Sequence, residues 1–412
     1  MAGKAFDTIR SCRSCDYEGL VDILDLGQQP LANALVEKPG AAVRKFPLST
    51  AFCPRCGLFQ LKETIPKEIL FDHYVWVTGT AKGTQEYSKL FARRVIDRAK
   101  IKKGDFVLEI ASNDGTILKQ FIKEKMVVLG IEPAKNIAEM AVREGVRTEA
   151  AYWDADVARS VIARYGHPNV IIARNVIPHV SELHYVIEGI ALALADEGSG
   201  VIEFHSGEVI AEMLHYDSIY HEHLCYFTAH SLTQLLERYG LYSYAADVSP
   251  ISGGSIVLYF SKNRREPESG ILALMKKEKE HGINSLATWE KFGEKAKAHR
   301  EETLKLLQGM SGKIIVGFGA SARSATFTNF CGIGKNYLKT IIDNNPLKQG
   351  YMTPSGDVPI VSFEQGMGLK PDIIFILAWN FKDEIIEQCK QYGFKGIYIV
   401  PFPQSPHIIP EA

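Results

Sequence analysis

Two C-x-x-C pairs constrain this chain more than any other feature of its sequence. Cys12 and Cys15 lie in SCRSCD, and Cys53 and Cys56 lie in FCPRCGL. Both are short turns of the kind that form zinc knuckles, and four thiolates complete the closed, tetrahedral shell of a structural zinc ion. Residues 16–52 separate the pairs, so a small β-rich module must fold between them. A set of buried or redox-active thiols is the alternative.

The composition indicates a globular protein that binds small molecules. The 412 residues are 46% hydrophobic and 23% charged, which suits two or three domains. Lysine and arginine (47) nearly balance aspartate and glutamate (48), so net charge favours neither nucleic acid nor a membrane surface as a partner. The start of the chain has no apolar signal segment, and no apolar run approaches the ~20 residues of a membrane span. We expect a cytoplasmic protein that works as a monomer or weak homo-oligomer.

A nucleotide-binding pattern begins at residue 106. FVLEIA (106–111) has the apolar run of a buried parallel strand, and TILKQFIKE has helical periodicity directly after SNDG. The second strand, VVLGIE, ends in Glu132, where nucleotide-binding α/β folds hold ribose hydroxyls. Glu132 could instead only cap the next helix. The order of strand, turn, helix, second strand and acid favours the ribose role.

Two further strands bring polar residues to the same edge of the predicted sheet. VIIARNVIPHV (170–180) contains Asn175 and His179, and GSGVIEFHSGE ends near Glu203 and His205. Ligands of open α/β sheets bind outside the carboxyl ends of the strands. The predicted site therefore gathers Asn113, Glu132, Asn175, His179 and the segment YHEH (220–223).

The string Tyr220, His221, Glu222 and His223 places two imidazoles, a carboxylate and a phenol side by side. Zinc sites on helices space paired histidines at i and i+4, whereas these two share a side only in an extended segment. In acid/base chemistry, one imidazole would take a proton while its neighbours orient it or hold developing charge. A hydrogen-bonded loop without a chemical role is a third possibility. We favour proton handling over metal binding.

A second βαβ pattern follows near the C-terminus. KIIVGFGASARSATFTNF contains a strand, a turn with Gly317 and Gly319, and the start of a helix, and Asp343 ends the next strand. The spacing is close to that of dinucleotide-binding folds, with Ala322 at the third glycine position. It leaves open an NAD-linked oxidoreductase, although the domain is small for a complete dinucleotide-binding fold.

The cofactor turn of the first domain differs from a glycine-rich phosphate loop. It has only Gly115, with the small residues Ala111 and Asn113 where the backbone turns tightly. No run of free amides is shaped for a pyrophosphate. A cofactor without phosphates fits better, and S-adenosylmethionine combines a sulfonium group with an adenosine whose ribose suits Glu132.

Several motifs occur in an order that resembles a known family. They are the two knuckles, LFDHYVWVTGTAKG (70–83), LEIASNDGT, ARNVIPHV, IYHEHLCYF, SGGSIVLYF and VGFGASARSATFTNF. Over essentially the whole chain they resemble the zinc-containing, class I S-adenosylmethionine-dependent C-methyltransferases that act on nucleotide-linked 4-keto deoxysugars. The YHEH string and the fused terminal domain are the specific parts of this resemblance.

The resemblance implies an α/β protein of four parts. A zinc-binding module (1–70) precedes a Rossmann-like, S-adenosylmethionine-binding methyltransferase domain (71–262). A helical connector (263–310) leads to a second Rossmann-like domain (311–412), which would bind the nucleotide part of the substrate. The remaining alternatives are the NAD-linked oxidoreductase and a relative that binds a nucleotide sugar without S-adenosylmethionine.

The resemblance also implies residue roles for removing a proton next to the keto group and methylating the enolate. The expected catalytic residues are His223 as base, Tyr220 and Tyr74 as phenol donors, Glu222 as an orienting group, and His179 as a second donor or alternate base. The cofactor would contact Ala111, Asn113, Gly115, Glu132 and Asn175, and the substrate would contact His221, Gly319, Ser321 and Arg323. Structural alternatives are a satisfied histidine at His179, a core tyrosine at Tyr74, and a helix cap or acid pair at Arg323.

Overall fold

The computed structural model describes residues 6–66, 69–70 and 82–410. Tyr74, with most of the motif at 70–83, lies outside the described residues. Within the described ranges, no helix is both long enough and apolar enough to cross a membrane.

The N-terminal module is a small antiparallel sheet. Strands β2 (Val21–Pro30), β3 (Lys45–Phe52) and β4 (Phe59–Leu61) pair in sequence order. A separate pair joins β1 (Asp7–Thr8) to β5 (Glu63–Thr64). The β-rich module predicted between the cysteine pairs is therefore present.

The two C-x-x-C segments form the same backbone turn. The amide of Asp16 donates to the carbonyl of Cys12 over 3.0 Å, and the amide of Gly57 donates to the carbonyl of Cys53 over 2.9 Å. Asp16 and Gly57 both have positive φ angles, of 61° and 72°. The matching turns direct the cysteine side chains of both segments toward one point.

The four cysteine sulfurs form one cluster. The Sγ atoms of Cys12 and Cys56 are 3.5 Å apart, as are those of Cys15 and Cys53, and all four lie within 4.8 Å of one another. Zn–S bonds of about 2.3 Å in a tetrahedron put the sulfurs roughly 3.8 Å apart, so the cluster fits a zinc ion. The side-chain amide of Gln60 on β4 donates to Cys12 Sγ over 3.3 Å, which supports the thiolate from outside the metal shell. The predicted four-cysteine site is confirmed.

The central domain is a seven-stranded sheet, and helices follow most of its strands along the chain. The strands in chain order, together with one short strand that leaves the sheet, are β6 (Phe106–Ile110), β7 (Val127–Ile131), β8 (Thr148–Glu149), β9 (Val170–Arg174), β10 (Ser199–His205), β11 (Cys225–Tyr226), β12 (Tyr242–Ser249) and β13 (Ser255–Ser261). The helices are α1 (Lys82–Ala99), α2 (Leu118–Lys123), α3 (Lys135–Arg143), α4 (Ala155–Tyr165), α5 (Leu183–Ala193), α6 (Gly207–Glu212) and α7 (Ala229–Glu237).

The strand order places the predicted polar residues on one edge. Across the sheet it is β12-β13-β10-β9-β6-β7-β8, and β13 is antiparallel to both of its neighbours. Strands β6 to β10 are parallel, so their carboxyl ends meet at the same edge. The predicted Rossmann-like sheet is confirmed, and its ligand-binding edge follows from the topology.

Two helices connect the central domain to the C-terminal domain. They are α8 (Ser269–Glu280) and α9 (Leu286–Gln308), so the connector is helical as predicted. One face of α9 is buried and not exposed to solvent. Trp289 on that face is fully buried and stacks on Phe59 of β4, with ring centroids 3.9 Å apart. The connector therefore packs against the zinc module as well as joining the domains.

The C-terminal domain is a six-stranded sheet in the order β16-β15-β14-β17-β18-β19, parallel except for its last strand. Its strands are β14 (Ile315–Phe318), β15 (Ile341–Ile342), β16 (Ile360–Val361), β17 (Ile373–Ile376), β18 (Ile397–Val400) and β19 (His407–Ile409), and its helices are α10 (Ala322–Cys331), α11 (Phe363–Gly368) and α12 (Lys382–Tyr392). Strands β14 and β15 follow the pattern predicted around Gly317 and Asp343. The short edge strands β16 and β19 were not predicted.

Strand β11 carries the chain after YHEH into the N-terminal sheet. It pairs antiparallel with β4, where Cys225 lies opposite Gln60. The amide of Leu61 also donates to the carbonyl of Leu224 over 2.9 Å. The zinc module therefore fixes the backbone immediately after the predicted catalytic segment.

Zinc removal should destabilise this protein without removing a reacting group. The four-cysteine shell predicts about one zinc ion per chain. Cys12→Ala deletes one ligand, so we expect this variant to bind less zinc. We also expect a fall of about 10 °C in melting temperature, because structural zinc contributes folding free energy. Metal analysis and thermal denaturation measure the two effects.

Cys389→Ala is the matched control, because Cys389 is an equally buried cysteine outside the cluster. It should cost some packing energy and leave the zinc content unchanged. A metal-free preparation that melts at the original temperature would contradict the structural role of zinc.

Candidate functional site

The turns at the carboxyl edge of the central sheet have an unusual backbone. Ala111, Asn113 and Asn175 each have φ near +51°, in the left-handed region that residues other than glycine seldom adopt. Gly115 has φ +74°, and a Cβ there would lie 2.7 Å from Val146, so only glycine fits. Positive φ at non-glycine positions concentrates at ligand-binding sites. All four predicted cofactor residues of these turns lie at the strand ends.

Glu132 links two of these turns. Its side chain is 4% exposed, and one carboxylate oxygen accepts from the amide of Asn113 while the other accepts from the amide of Ala134, each over 2.9 Å. Burial raises the pKa of Glu132, and the two backbone amides oppose that rise. Each oxygen keeps a second lone pair for a hydroxyl donor, so the position fits the ribose of an adenosine.

Three aromatic side chains meet beside this edge. His179 follows β9, and its ring lies 4.6 Å from that of His223 in an edge-to-face arrangement. The ring of Tyr220 lies 3.9 Å from that of His223. The predicted proton-handling residues of two chain segments therefore come together. The amide of Leu224 donates to the carbonyl of Pro178 over 2.8 Å, which ties the two segments directly.

The hydrogen bond to Ser218 selects one tautomer of His223. Nδ1 of His223 lies 2.8 Å from the carbonyl oxygen of Ser218. A carbonyl only accepts, so Nδ1 must carry the proton, and Nε2 of the neutral ring then has the lone pair. The ring is therefore held in the form that can remove a proton through Nε2.

Both paired imidazoles are held neutral. Burial lowers the pKa of His179 to about 4, against an opposing contact with the Glu222 backbone. Burial, and then the charge of His179, lower the pKa of His223 well below its usual range, and the bond to Ser218 opposes them only in part. Neither ring therefore needs to lose a proton before it can act as a base at neutral pH.

Glu222 and His221 face the N-terminal module instead. The carboxylate of Glu222 accepts from the side-chain amide of Asn33 over 2.7 Å, and burial raises its pKa. His221 is 2% exposed, packs edge to face on Phe46 and has Nε2 3.1 Å from the carbonyl of Pro47. The carbonyl of Ser218, not the carboxylate of Glu222, orients the His223 ring. His221 holds the segment to the sheet.

Two further histidines lie next to this group. His205 ends β10, and its ring is 5.8 Å from that of His215, which in turn is 4.7 Å from the ring of Trp379. Burial is the main cause that lowers the pKa of His205, and the charges of Arg323, His215 and His223 act in the same direction. The sequence pattern placed His205 near the predicted edge of the sheet. No pattern marked His215, which lies in an irregular segment before YHEH.

The C-terminal domain reaches the site through Arg323. Its guanidinium makes a two-pronged contact with Asp217, with bonds of 2.9 and 2.8 Å, and stacks on Trp379. Trp379 Nε1 also donates to the Asp217 carboxylate over 2.8 Å. Asp217 is 1% exposed, so this is a buried ion pair between two domains. Arg323 thus takes the acid-pair alternative in this structure.

The predicted glycine turn of the C-terminal domain is packed closely. Gly319 has φ +102°, and a Cβ on it would lie 2.3 Å from Cβ of Ala378. Ser321 caps α10 by accepting from the amide of Ser324 over 3.1 Å. Asp343 accepts from the amide of Ala320 over 2.9 Å and pairs with Lys348. The acid at the dinucleotide position is therefore occupied by groups of its own domain.

Three family models match successive parts of the chain. A zinc binding domain matches residues 12–71, a methyltransferase domain matches residues 84–245, and a C-methyltransferase C-terminal domain matches residues 250–403. The C-methyltransferase NovU of Streptomyces niveus is 30% identical over 408 residues, which cover 97% of this chain and 97% of that protein.

Solved structures overlap only with part of the chain. Magnesium protoporphyrin IX methyltransferase from Synechocystis PCC 6803 with bound SAM covers 44% of this chain and 80% of its own, at 11% identity and a TM-score of 0.34. A TehB-like SAM-dependent methyltransferase from Corynebacterium glutamicum also covers 44%, and all of its own chain, at 17% identity and a TM-score of 0.31. Nothing beyond a partial overlap follows from such scores. The family models and the full-length relative show that this chain belongs to the zinc-containing, S-adenosylmethionine-dependent C-methyltransferases.

Proposed function

We propose that this enzyme methylates a carbon next to the keto group of a nucleotide-linked 4-keto deoxysugar. The tautomer of His223 carries the proposal: Nδ1 is bonded to Ser218, so Nε2 has the lone pair. A base of this kind is what a C-methyltransferase needs when the carbon to be methylated first has to lose a proton. The sugar and nucleotide follow from the sequence resemblance and from the α/β domain fused behind the site.

The proposed reaction has two bond-changing steps. His223 Nε2 removes a proton from the carbon next to the ketone, and the electron pair of the broken C–H bond moves into the enolate. S-adenosylmethionine, when bound, supplies an electrophilic methyl group. Transfer of that methyl group to the enolate carbon would complete the reaction, with the electron pair of the S–CH₃ bond left on sulfur. His223 then returns its proton to solvent.

The enolate oxygen needs a hydrogen-bond donor as its charge develops. Tyr220, whose ring lies 3.9 Å from that of His223, offers a phenol, and neutral His179 offers its one N–H in exchange for its contact with the Glu222 backbone. We assign these two residues to the enolate, and we keep Tyr74 as a further donor. Ala111, Asn113, Gly115, Glu132 and Asn175 would hold the cofactor at the adjoining strand ends.

The C-terminal domain is assigned to the nucleotide part of the substrate. Its connection to the site, through Arg323 and Trp379 to Asp217, supports a role in holding the same substrate. An NAD-linked role is less well supported, because the carboxylate of Asp343 already forms an ion pair with Lys348.

A substrate panel tests the proposal directly. The enzyme is incubated in deuterated water with S-adenosylmethionine and a set of 4-keto nucleotide sugars, and the products are analysed by mass spectrometry. We expect one substrate to gain the mass of a methylene group, and we expect deuterium exchange next to the ketone when the cofactor is omitted. Absence of both across the panel would contradict the proposed substrate class.

Replacing the base should separate chemistry from cofactor binding. His223→Ala should lower kcat by at least about 100-fold, because general-base catalysis contributes on that order. S-adenosylmethionine affinity, measured by calorimetry, should stay nearly unchanged. His230→Ala is the control, because His230 lies on α7 and bonds to Gln234 outside the site. Full activity of His223→Ala would remove His223 as the base.

The pH profile should reflect a base with a lowered pKa. A neutral imidazole is available above its pKa and is lost as the pH falls through it, and the pKa of His223 lies well below 6.5. We therefore expect kcat/KM to stay level from about pH 8 down to pH 6.5 or lower. An acid limb centred at 6.5 or above would show that the base is a group of ordinary pKa.

A further inference from the structure

His205 and His215 form a second imidazole pair that the proposed proton transfer does not use. Nε2 of His205 and both ring nitrogens of His215 are buried and have no hydrogen-bond partner among the described residues. His215 is 1% exposed, whereas His205 is only partly buried. Buried polar groups without partners are costly, and each one needs an explanation. The pair adjoins the catalytic group, since the amide of Ser218, whose carbonyl holds His223, donates to the carbonyl of His215 over 3.0 Å.

His215 borders a small space between two domains. A Cβ added to Gly253, which has φ +84°, would lie 3.6 Å from His215, 3.7 Å from Trp379 and 4.0 Å from Arg323. These are ordinary contact distances, so the space between the four residues can hold at least one further carbon-sized group. It is lined by two aromatic rings and a guanidinium already paired with Asp217.

The chemistry of the pair selects the kind of ligand group. Burial lowers the pKa of His215 to about 4, and Arg323 acts in the same direction. A neutral imidazole has one donor and one acceptor nitrogen, and both are without partners in His215. A phosphate or carboxylate oxygen would satisfy only the donor. A hydroxyl group both donates and accepts, so it can bond to an acceptor nitrogen of one ring and a donor nitrogen of the other.

We propose that His205 and His215 form a hydroxyl-recognition subsite, in which a ring hydroxyl of the sugar bonds to the imidazole nitrogens next to His223. The inference rests on the proposed nucleotide-sugar substrate and adds the feature by which the enzyme would select it. Because the subsite adjoins the base, the hydroxyl that it holds belongs to the sugar ring and not to the nucleotide. His205 and His215 are then specificity-determining residues, and neither takes part in proton transfer.

Deoxy analogues provide the test. The substrates are a 4-keto-6-deoxyhexose nucleotide and its 2-deoxy and 3-deoxy analogues, compared by kcat/KM in methyl transfer. We expect the wild-type enzyme to disfavour one analogue by about 10- to 100-fold, because losing the hydroxyl leaves buried imidazole nitrogens unpaired. In His215→Phe, the kcat/KM of the parent substrate should fall toward that of the disfavoured analogue, so that the two values differ by less than about 3-fold.

Three variants make the result specific. His215→Gln keeps a donor and an acceptor and should retain part of the preference. His205→Phe tests the other ring and should also reduce it. His230→Phe makes the same change outside the site and should keep the wild-type ratio. If His215→Phe fails to fold, as judged by its melting temperature, His205→Phe and His215→Gln carry the comparison.

Binding measurements separate this inference from the proposed function. The same three sugars are titrated by calorimetry into the enzyme with S-adenosylhomocysteine. Absence of methyl transfer with a hydroxyl-dependent affinity would contradict the proposed function and support the subsite. Equal rates and equal affinities for the parent and both analogues, or an unchanged preference in both His215→Phe and His205→Phe, would overturn the subsite. Binding of none of the sugars would overturn both.

Discussion

The pairing of β4 with β11 is the contact on which the rest of the site depends. It is a main-chain interaction between the zinc module and the central domain, two segments far apart in sequence. Gln60 stands at its centre, because its backbone lies opposite Cys225 and its side chain donates to Cys12 Sγ. The metal cluster therefore supports the β4–β11 strand pair, which in turn supports the YHEH segment. A metal with no open coordination position can still control catalysis by fixing where the base lies.

The chemistry of the site depends on keeping imidazoles neutral. His179, His205, His215 and His223 lie near one another, and burial is the first cause that lowers the pKa of each. A proton on His179 would also disfavour one on His223, and a proton on His215 or His223 would disfavour one on His205. The two histidines of YHEH do not form a metal pair, since His221 turns to Pro47 while His223 bonds to Ser218. The YHEH segment therefore directs His221 toward the N-terminal module and His223 toward His179 of the central domain.

Patterns within short stretches of sequence predicted the parts of the structure that depend on neighbouring residues. The cysteine turns, the parallel strands β6, β7, β9 and β10, and the position of Glu132 followed from spacing and apolar runs within short segments, so the edge that carries the site could be placed. The pairing of β11 with β4, the bond between Asn33 and Glu222, and the contact of Arg323 with Asp217 could not. Each joins segments from different domains, and in a two-residue strand or a single polar side chain no periodicity records the partner. His215 escaped notice for the same reason.

The buried ion pair between Asp217 and Arg323 couples the two ends of the site. A buried carboxylate that loses its partner is strongly destabilised, so Asp217 is held only while the C-terminal domain supplies Arg323 and Trp379. Ser218 is the next residue along the chain, and its carbonyl fixes the tautomer and orientation of His223. Any movement of the C-terminal domain relative to the central sheet would therefore shift His223 through Asp217 and Ser218, which are adjacent in the chain. In the proposed mechanism, the domain assigned to the nucleotide would thereby also help to position His223 for proton removal.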